Sequence, residues 1–350
     1  MIFGKAIDDA ILSNLTEDKK FVLMGLVVSY SNKSFFSKFP ERVLETPVSE
    51  LSFSGMAVGL ASQGFKPMVD HGRVEFSILA LDQILTQASR WNFMFGGDYF
   101  CPASFKICIG RQWGNGPQHT GTYHSIFLQS LGMDIFIPST PLEAYLHIKY
   151  TLKNMNPSVI LEHRWLYLND QNFKIHNNLN KIHHATYVKD NKSNILIVTY
   201  GDGFVESLKA KKILKNENID VSVISLSYFP KDKRISESII KEISKFEKIY
   251  YVDTSPFDFG LLSSFSGIKN LNKDFSIIQK EYKISPPFYP CPTSPMLTGQ
   301  YYPNGNIIAE KIIFNEKNKK IRIKPLSFYE THTVTKVDLN DYLKDCTYIY

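Results

Sequence analysis

Residues 21–28, with the sequence FVLMGLVV, form the longest apolar run of the chain and are the starting point for its fold. The run is far shorter than the roughly 20 residues that span a bilayer, and it has the length of a buried strand. Similar short runs follow at 66–70, 105–110, 134–139 and 158–163. Amphipathic segments separate them, so we predict a parallel sheet with helices on both faces.

The alternation stops at residues 171–193, which are rich in Asn, Lys and His, and resumes at residue 194. Strands are predicted at 194–200, 220–226 and 248–253, with helices between them. We therefore predict an α/β chain of two three-layer α/β/α domains, at residues 1–170 and 194–316. Residues 171–193 are predicted to be a linker, and residues 317–350 a Lys-rich C-terminal tail whose role the sequence does not reveal.

The composition fits a cytoplasmic globular protein. The chain has 350 residues, 43% of them hydrophobic and 21% charged, which excludes disorder as its main state. A net charge of +6 is small for this length and does not favour a nucleic-acid partner. Asp8 and Asp9 interrupt the N-terminal segment where a signal peptide needs an apolar core, so we expect neither secretion nor a membrane partner.

Two short motifs look functional but favour structural explanations. Gly201-Asp202-Gly203 resembles the start of a metal-diphosphate signature, but the Asn pair expected some thirty residues later is missing. A turn from strand to helix explains this triplet better. His183-His184 lies in the predicted linker without a spaced partner for zinc, so we expect solvated histidines there.

Three segments of the first half carry a more specific pattern. They are ETPVSE at 45–50 followed by a helix of small residues, GFKPMVDHGRVEFSILALDQI at 64–84, and GNGPQHTG at 114–121. Their order and spacing resemble the β subunit of the decarboxylating component of 2-oxo-acid dehydrogenases, over roughly residues 4–315. In that family, a pyrimidine-binding domain of the transketolase superfamily precedes a transketolase C-terminal-like domain.

The resemblance implies thiamine diphosphate as a cofactor, shared with an α-type partner subunit that holds the diphosphate and magnesium. It also implies an α2β2 assembly. Glu50 matches the carboxylate that shares a proton with the cofactor's pyrimidine ring. Taken alone, Glu50 is more typical of an exposed turn or of a charge at a helix N-terminus, whereas the flanking motifs favour the catalytic role.

The same resemblance assigns further residues. Phe76 matches the aromatic residue that stacks on the pyrimidine, although a core Phe is nearly as good an explanation. Val48 and Gly72 match other cofactor contacts. His119 matches the active-site histidine of the family's GP-x-H motif, which serves the substrate carboxylate, the intermediate or proton transfer; a His in a Gly-rich loop is poorly suited to core packing.

Weaker candidates complete the predicted site. Arg111 is a candidate for an anionic substrate or a lipoyl-bearing loop, and His124 is a candidate neighbour of the active-site histidine. Thr151, Asn154 and Asn156 resemble a turn that binds potassium in some relatives, mainly through backbone carbonyls.

The sequence departs from the family pattern at several places. Leu26 and Val27 replace acidic residues after the first strand, and Gln129 replaces a second histidine. These changes favour a specialised member and leave three hypotheses open. The chain is a 2-oxo-acid dehydrogenase β subunit that works with a lipoyl acyltransferase, a subunit of a split transketolase-like enzyme that transfers a two-carbon or acyl unit to an aldehyde or sugar, or a non-catalytic scaffold.

Overall fold

Two β-sheets flanked by helices make up the protein. This computed structural model describes residues 1–350 except 27, 29–32, 112–113, 175–181, 234, 257, 259, 272–278, 322–329 and 331–334. The strands, β1 to β13, are Phe21–Gly25, Val43–Glu45, Lys66–Asp70, Ser104–Ile109, Asp134–Phe136, Ser158–His163, Ala185–Val188, Ile195–Thr199, Ser222–Leu226, Tyr228–Phe229, Lys248–Val252, Lys280–Ile284 and Cys346–Ile349.

The α-helices, labelled α1 to α12, are Phe3–Glu17, Lys33–Lys38, Glu50–Ser62, Val74–Ser77, Trp91–Met94, His124–Leu128, Pro141–Thr151, Asp202–Asn216, Glu237–Ile243, Leu261–Leu271, Pro295–Tyr301 and Gly305–Lys317. Short 3₁₀ segments lie at Ile78–Ala80 and Arg164–Leu166, and a π-helical segment lies at Asp82–Ala88. No helix among the described residues is long and apolar enough to cross a membrane.

The first sheet has the strand order β10-β5-β6-β4-β3-β1-β2. Its neighbours are parallel except β10, which pairs antiparallel with β5. Because β10 comes from the second half of the chain, that half completes the edge of the first sheet. The second sheet has the order β12-β11-β8-β9-β7-β13, in which the strands from β12 to β9 are parallel.

Both faces of each sheet are buried. In β8, Ile195 and Ile197 join one apolar cluster with α8 and α12, while Leu196 and Val198 join another with α9 and α10. In the first sheet, α1 and α7 cover one face, and α3 with the π-helical segment covers the other. This explains why the strands carry nearly continuous apolar runs. The prediction of two three-layer α/β/α units is confirmed.

The predicted linker contains an element of the second sheet. β7 lies within residues 171–193 and pairs antiparallel with β9. His183, expected to be solvated, is instead 2% exposed, and its Nε2 atom lies 3.3 Å from Oε1 of the buried Glu143. That expectation was wrong because the carboxylate that receives this histidine lies on α7, forty residues earlier in the chain.

The C-terminal tail is part of the fold. β13 pairs antiparallel with β7 and forms an edge of the second sheet. Just before it, Leu339 is fully buried in the core, and backbone hydrogen bonds join Asp170 N to Val337 O and Leu339 N to Asp170 O, both at 2.8 Å. The tail is therefore hydrogen-bonded to Asp170, at the end of the first domain.

Replacing Leu339 by Ala tests whether the tail contributes to stability. We expect the free energy of unfolding to fall by about 2–5 kcal/mol, because the change leaves a cavity in the core. Leu131→Ala is the matched control, since Leu131 is 75% exposed and should change stability by no more than about 0.5 kcal/mol. Denaturant unfolding of both variants measures the two changes. If both were small and equal, the tail would not contribute to the stability of the fold.

Candidate functional site

The carboxyl ends of β1, β3, β4 and β6 converge on one edge of the first sheet, which is where ligands bind in open α/β sheets. A cavity of about 470 Å³ lies in this region. Glu50, Gly72 and Phe76, three of the residues predicted to contact the cofactor, line it together. The fold thus brings together residues that come from two separate sequence motifs.

A buried ionic group forms part of the cavity wall. The Nζ atom of Lys106 on β4 lies 3.1 Å from Asp70 Oδ2 on β3 and 2.9 Å from Glu162 Oε1 on β6. Burial acts to lower the pKa of Lys106, but the two carboxylates outweigh it and raise that pKa above its usual value. The lysine therefore stays charged and ties three neighbouring strands together.

The turn after β3 carries the cavity-lining residues. Asp70 Oδ1 accepts a hydrogen bond from the Gly72 backbone N–H at 3.1 Å, which closes the turn. Gly72 has a φ of +58°, a value that strongly favours glycine. The next residue, Arg73, donates from Nη1 to Gly110 O at 2.8 Å, so the turn is fixed to the end of β4.

Glu50 is the first residue of α3 and is 6% exposed. The helix is held to the turn after β3, because Ser54 Oγ lies 3.1 Å from His71 Nε2 and the Phe53 ring lies 5.3 Å from the His71 ring. Within the described part of the chain, no hydrogen bond or ion pair joins the Glu50 carboxylate to another residue. A buried carboxylate in this condition fits a ligand that brings its own hydrogen-bonding group.

Phe76 and His119 lie next to each other. Their ring centroids are 5.7 Å apart, and Phe76 is 38% exposed. The loop that carries His119 is fixed to α4, because Glu75 Oε1 accepts a hydrogen bond from Gly121 N at 2.6 Å. The Nδ1 atom of His119 is buried without a hydrogen-bond partner. A polar atom in this state, beside a partly exposed aromatic ring, is suited to meeting a bound molecule.

The first half of the chain matches a known protein family. Residues 1–169 match the family model of the transketolase pyrimidine-binding domain. The match covers 169 of the 350 residues. The cavity beside Glu50 therefore lies in the part of the chain that matches a pyrimidine-binding domain, and the resemblance inferred from the three motifs is confirmed.

Several curated relatives extend over both domains. The mitochondrial pyruvate dehydrogenase E1 component subunit beta of Saccharomyces cerevisiae is 29% identical over 274 residues, covering 75% of this chain and 74% of the relative. The acetoin:2,6-dichlorophenolindophenol oxidoreductase subunit beta of Cupriavidus necator is 24% identical, covering 87% and 94%. A solved structure described as a split gene transketolase, inactive beta4 tetramer, is similar with a TM-score of 0.69, 18% identity and coverage of 87% and 94%.

Other predicted contacts lie outside the cavity of the pyrimidine-binding domain. Val48 is 75% exposed and is not among the residues that line the cavity. Leu26, which takes the place of an acidic residue, does line it. Its apolar side chain leaves this part of the wall without the charge that the family pattern would supply.

Arg111 is buried where the pyrimidine-binding domain meets the second domain. Its guanidinium lies 3.7 Å from Asp202 and 3.6 Å from Glu206, both on α8, and stacks over the Trp165 ring at 4.3 Å. Gly201 is the N-cap of α8 and has a φ of +56°, as expected for a turn from strand to helix, and a Cβ there would lie 2.3 Å from His163. The motif Gly201-Asp202-Gly203 therefore serves the domain contact.

His124 begins α6 and is 1% exposed. Its Nδ1 atom lies 3.5 Å from the Tyr200 hydroxyl, and its ring stacks on His163 with centroids 5.6 Å apart. Burial, together with the neighbouring His163, lowers the pKa of His124 well below its usual value, so its ring is neutral. The structure brings His124 together with second-domain residues, whereas His119 lies beside Phe76.

The turn predicted to bind potassium is held by its own side chains. Thr151 Oγ1 donates to Ile148 O at 2.8 Å, and Asn154 Nδ2 donates to Asp134 Oδ2 at 2.7 Å. Asn154 Oδ1 accepts from both the backbone and the side-chain nitrogen of Asn156 at 3.0 Å. Among the described residues, no group of three or more His, Cys, Asp or Glu side chains is placed to hold a metal ion.

Some residues that shape the site were not singled out from the sequence. Lys106 and Glu162 are charged residues inside otherwise apolar strands, and that anomaly was a usable signal. His71, Ser54 and Glu75 carried no comparable signal, because their roles depend on contacts between separate elements.

The buried His71 predicts a pH dependence of stability. Burial lowers the pKa of His71 to about 4, from about 6.5 in an unfolded chain. As the pH falls below 6.5, the unfolded state takes up a proton that the folded state cannot, so stability is lost down to pH 4. Between pH 7 and pH 4, the free energy of unfolding of the His71→Gln variant should fall by about 3 kcal/mol less than that of the native protein. Denaturant unfolding at both pH values measures this, and identical losses would refute it.

Proposed function

We propose that this chain is the β subunit of a thiamine-diphosphate-dependent 2-oxo-acid dehydrogenase and supplies the pyrimidine-binding half of its active site. The observation that carries the proposal is the shared cavity of Glu50, Gly72 and Phe76, with His119 beside Phe76. The relatives named as pyruvate dehydrogenase and acetoin oxidoreductase beta subunits support it.

Each of these residues has a chemical role suited to the pyrimidine. Bound thiamine diphosphate supplies the electron sink for decarboxylation. The Glu50 carboxylate would share a proton with a pyrimidine nitrogen, and the Phe76 ring would pack on the pyrimidine face. Gly72 has open space within 4 Å of its missing Cβ, so the backbone there leaves room for a ring. His119 would bind the substrate carboxylate or transfer a proton.

An α-type subunit would cover this face and hold the diphosphate and magnesium. Leu51 is 54%, Met56 55% and Leu79 63% exposed, and these residues come from α3 and the adjacent 3₁₀ segment. Grouped exposed apolar side chains of this kind are typical of protein interfaces. We propose an α2β2 assembly that passes its acyl group to a lipoyl acyltransferase.

Binding of potassium at the turn of Thr151, Asn154 and Asn156 stays a prediction.

A second reaction class has its own support. The similarity to a split gene transketolase concerns the fold alone, but the loop at 114–121 also resembles transketolase-type enzymes. A lipoyl carrier as the required acceptor would favour the dehydrogenase, and an aldehyde acceptor the transferase. Failure of the assembled complex to bind thiamine diphosphate would favour a non-catalytic scaffold.

Glu50→Gln tests the proposed activating role. In the complex with its α-type partner, we expect the variant to bind thiamine diphosphate in calorimetric titration but to release carbon dioxide from 2-oxo acids about 10²–10⁴-fold more slowly. Glu41→Gln is the control, because Glu41 is exposed. Glu41 precedes β2, whereas Glu50 follows β2, so the two residues lie at opposite ends of that strand. Activity of the Glu50 variant near the native level would overturn the assignment.

Met56→Glu tests the partner face. A charge placed in an apolar interface should weaken association with the α-type subunit by about tenfold or more, measured by sedimentation or co-purification. Leu131→Glu is a matched control, because Leu131 is 75% exposed and precedes β5 at the amino end of the first sheet. Equal association of the two variants would show that the α3 face does not bind the partner.

A further inference from the structure

A second cavity lies between the two domains, apart from the cavity of Glu50. Its volume is about 500 Å³, within the range of small-molecule sites. One wall is the loop at 117–125, which follows directly from the Gly-rich segment and includes Thr122 and His124. The opposite wall comes from the second domain, at 254–256, 288–291 and 301–302.

The lining of this interdomain cavity has a distinctive composition. Five aromatic side chains contribute to it: Tyr123, Phe288, Tyr289, Tyr301 and Tyr302. Hydroxyl, amide and imidazole groups make up the polar part, and none of the described lining residues is Asp, Glu, Lys or Arg. Placing a carboxylate or phosphate here without a counter-charge would be costly. The cavity therefore fits a neutral molecule with an apolar face and several polar groups.

His124 contributes an imidazole ring to the cavity lining. The Asp253 carboxylate accepts hydrogen bonds from the backbone N–H of Ser255 at 2.9 Å and of Leu262 at 3.1 Å, and from the Tyr200 hydroxyl. The Tyr200 hydroxyl donates its proton to Asp253. The hydroxyl oxygen of Tyr200 therefore presents a lone pair to His124 Nδ1. The neutral ring then carries its proton on Nδ1, which leaves Nε2 as an acceptor.

The Nε2 atom of His124 is buried without a hydrogen-bond partner. His124 lines the cavity, whereas Tyr200, which faces the Nδ1 atom of His124, does not. An unpaired buried acceptor calls for a ligand that donates a proton. A hydroxyl group satisfies this, and it also fits the neutral lining.

We propose that this interdomain cavity binds a neutral, hydroxyl-bearing ring molecule of the carbohydrate type, with one hydroxyl donating to His124 Nε2 and the ring packed on the aromatic wall. Aromatic faces carry partial negative charge and pack well against the polarised C–H groups of such rings. The described lining residues all belong to this chain, and none of them is proposed to hold thiamine diphosphate, so the site goes beyond the proposed function. Its wall continues into the loop of His119, which places the ligand next to the active-site region.

Ligand-observed NMR on the full-length chain without cofactor tests the proposal. The neutral probes are methyl glucopyranoside, methyl galactopyranoside and methyl xylopyranoside, and the charged counterparts are glucose 6-phosphate and glucuronate. We expect at least one neutral glycoside to bind, and the charged counterparts to bind about tenfold more weakly or not at all. Binding of none of the neutral probes, or equal binding of the charged ones, would overturn the proposal.

Two variants locate the site. Tyr289→Ala removes a wall residue that is 58% exposed and should weaken glycoside binding by about two- to tenfold. Tyr99→Ala, at 61% exposure and outside the cavity, is the matched control and should bind as the native chain does. His124→Phe keeps a ring but removes the acceptor, and should weaken binding by about fivefold. Unaltered binding by both cavity variants would refute the site.

Discussion

The position of Lys106 between Asp70 and Glu162 is the constraint on which the cavity beside Glu50 depends. These charges lie on three adjacent parallel strands, and a buried pair that loses one partner costs about 3–5 kcal/mol, so the register of the strands is strongly fixed at this depth. Asp70 also closes the turn that exposes Gly72. The ionic group therefore determines where the turn begins, and with it the place of Phe76 and, through Glu75, of the His119 loop.

A second buried polar group fixes the domains against each other. Arg111 extends from the end of β4 to Asp202 and Glu206 on α8, and His163 at the end of β6 lies 3.1 Å from Asp202. Burial acts to raise the pKa of Asp202, but His163 and Arg111 outweigh it and lower that pKa, so the carboxylate stays ionised. Together with β10 at the edge of the first sheet, these contacts fix the positions of the two domains that form the walls of the interdomain cavity.

The layers could be predicted from sequence, because apolar periodicity is a short-range signal, and the parallel strands were found in this way. Glu50 and Phe76, which line one cavity in the structure, were singled out through the resemblance of their motifs to a family. β7 was missed because four residues between polar segments carry little periodicity, and β13 because its partner lies about 160 residues earlier. Arg111 was expected near a substrate, since no local pattern reveals that its acidic partners begin ninety residues later.

The surroundings of Arg111 and His119 bear on how a 2-oxo acid would be held. Its carboxylate needs a cation or a hydrogen-bond donor, and the guanidinium of Arg111 is already balanced by two carboxylates of the second domain. His119 instead has a buried Nδ1 without a partner and stands beside the Phe76 ring. Withdrawing Arg111 would take a cationic partner from each of two buried carboxylates, whereas His119 has no such partner to leave. This favours His119 over Arg111 as the group that serves the substrate carboxylate.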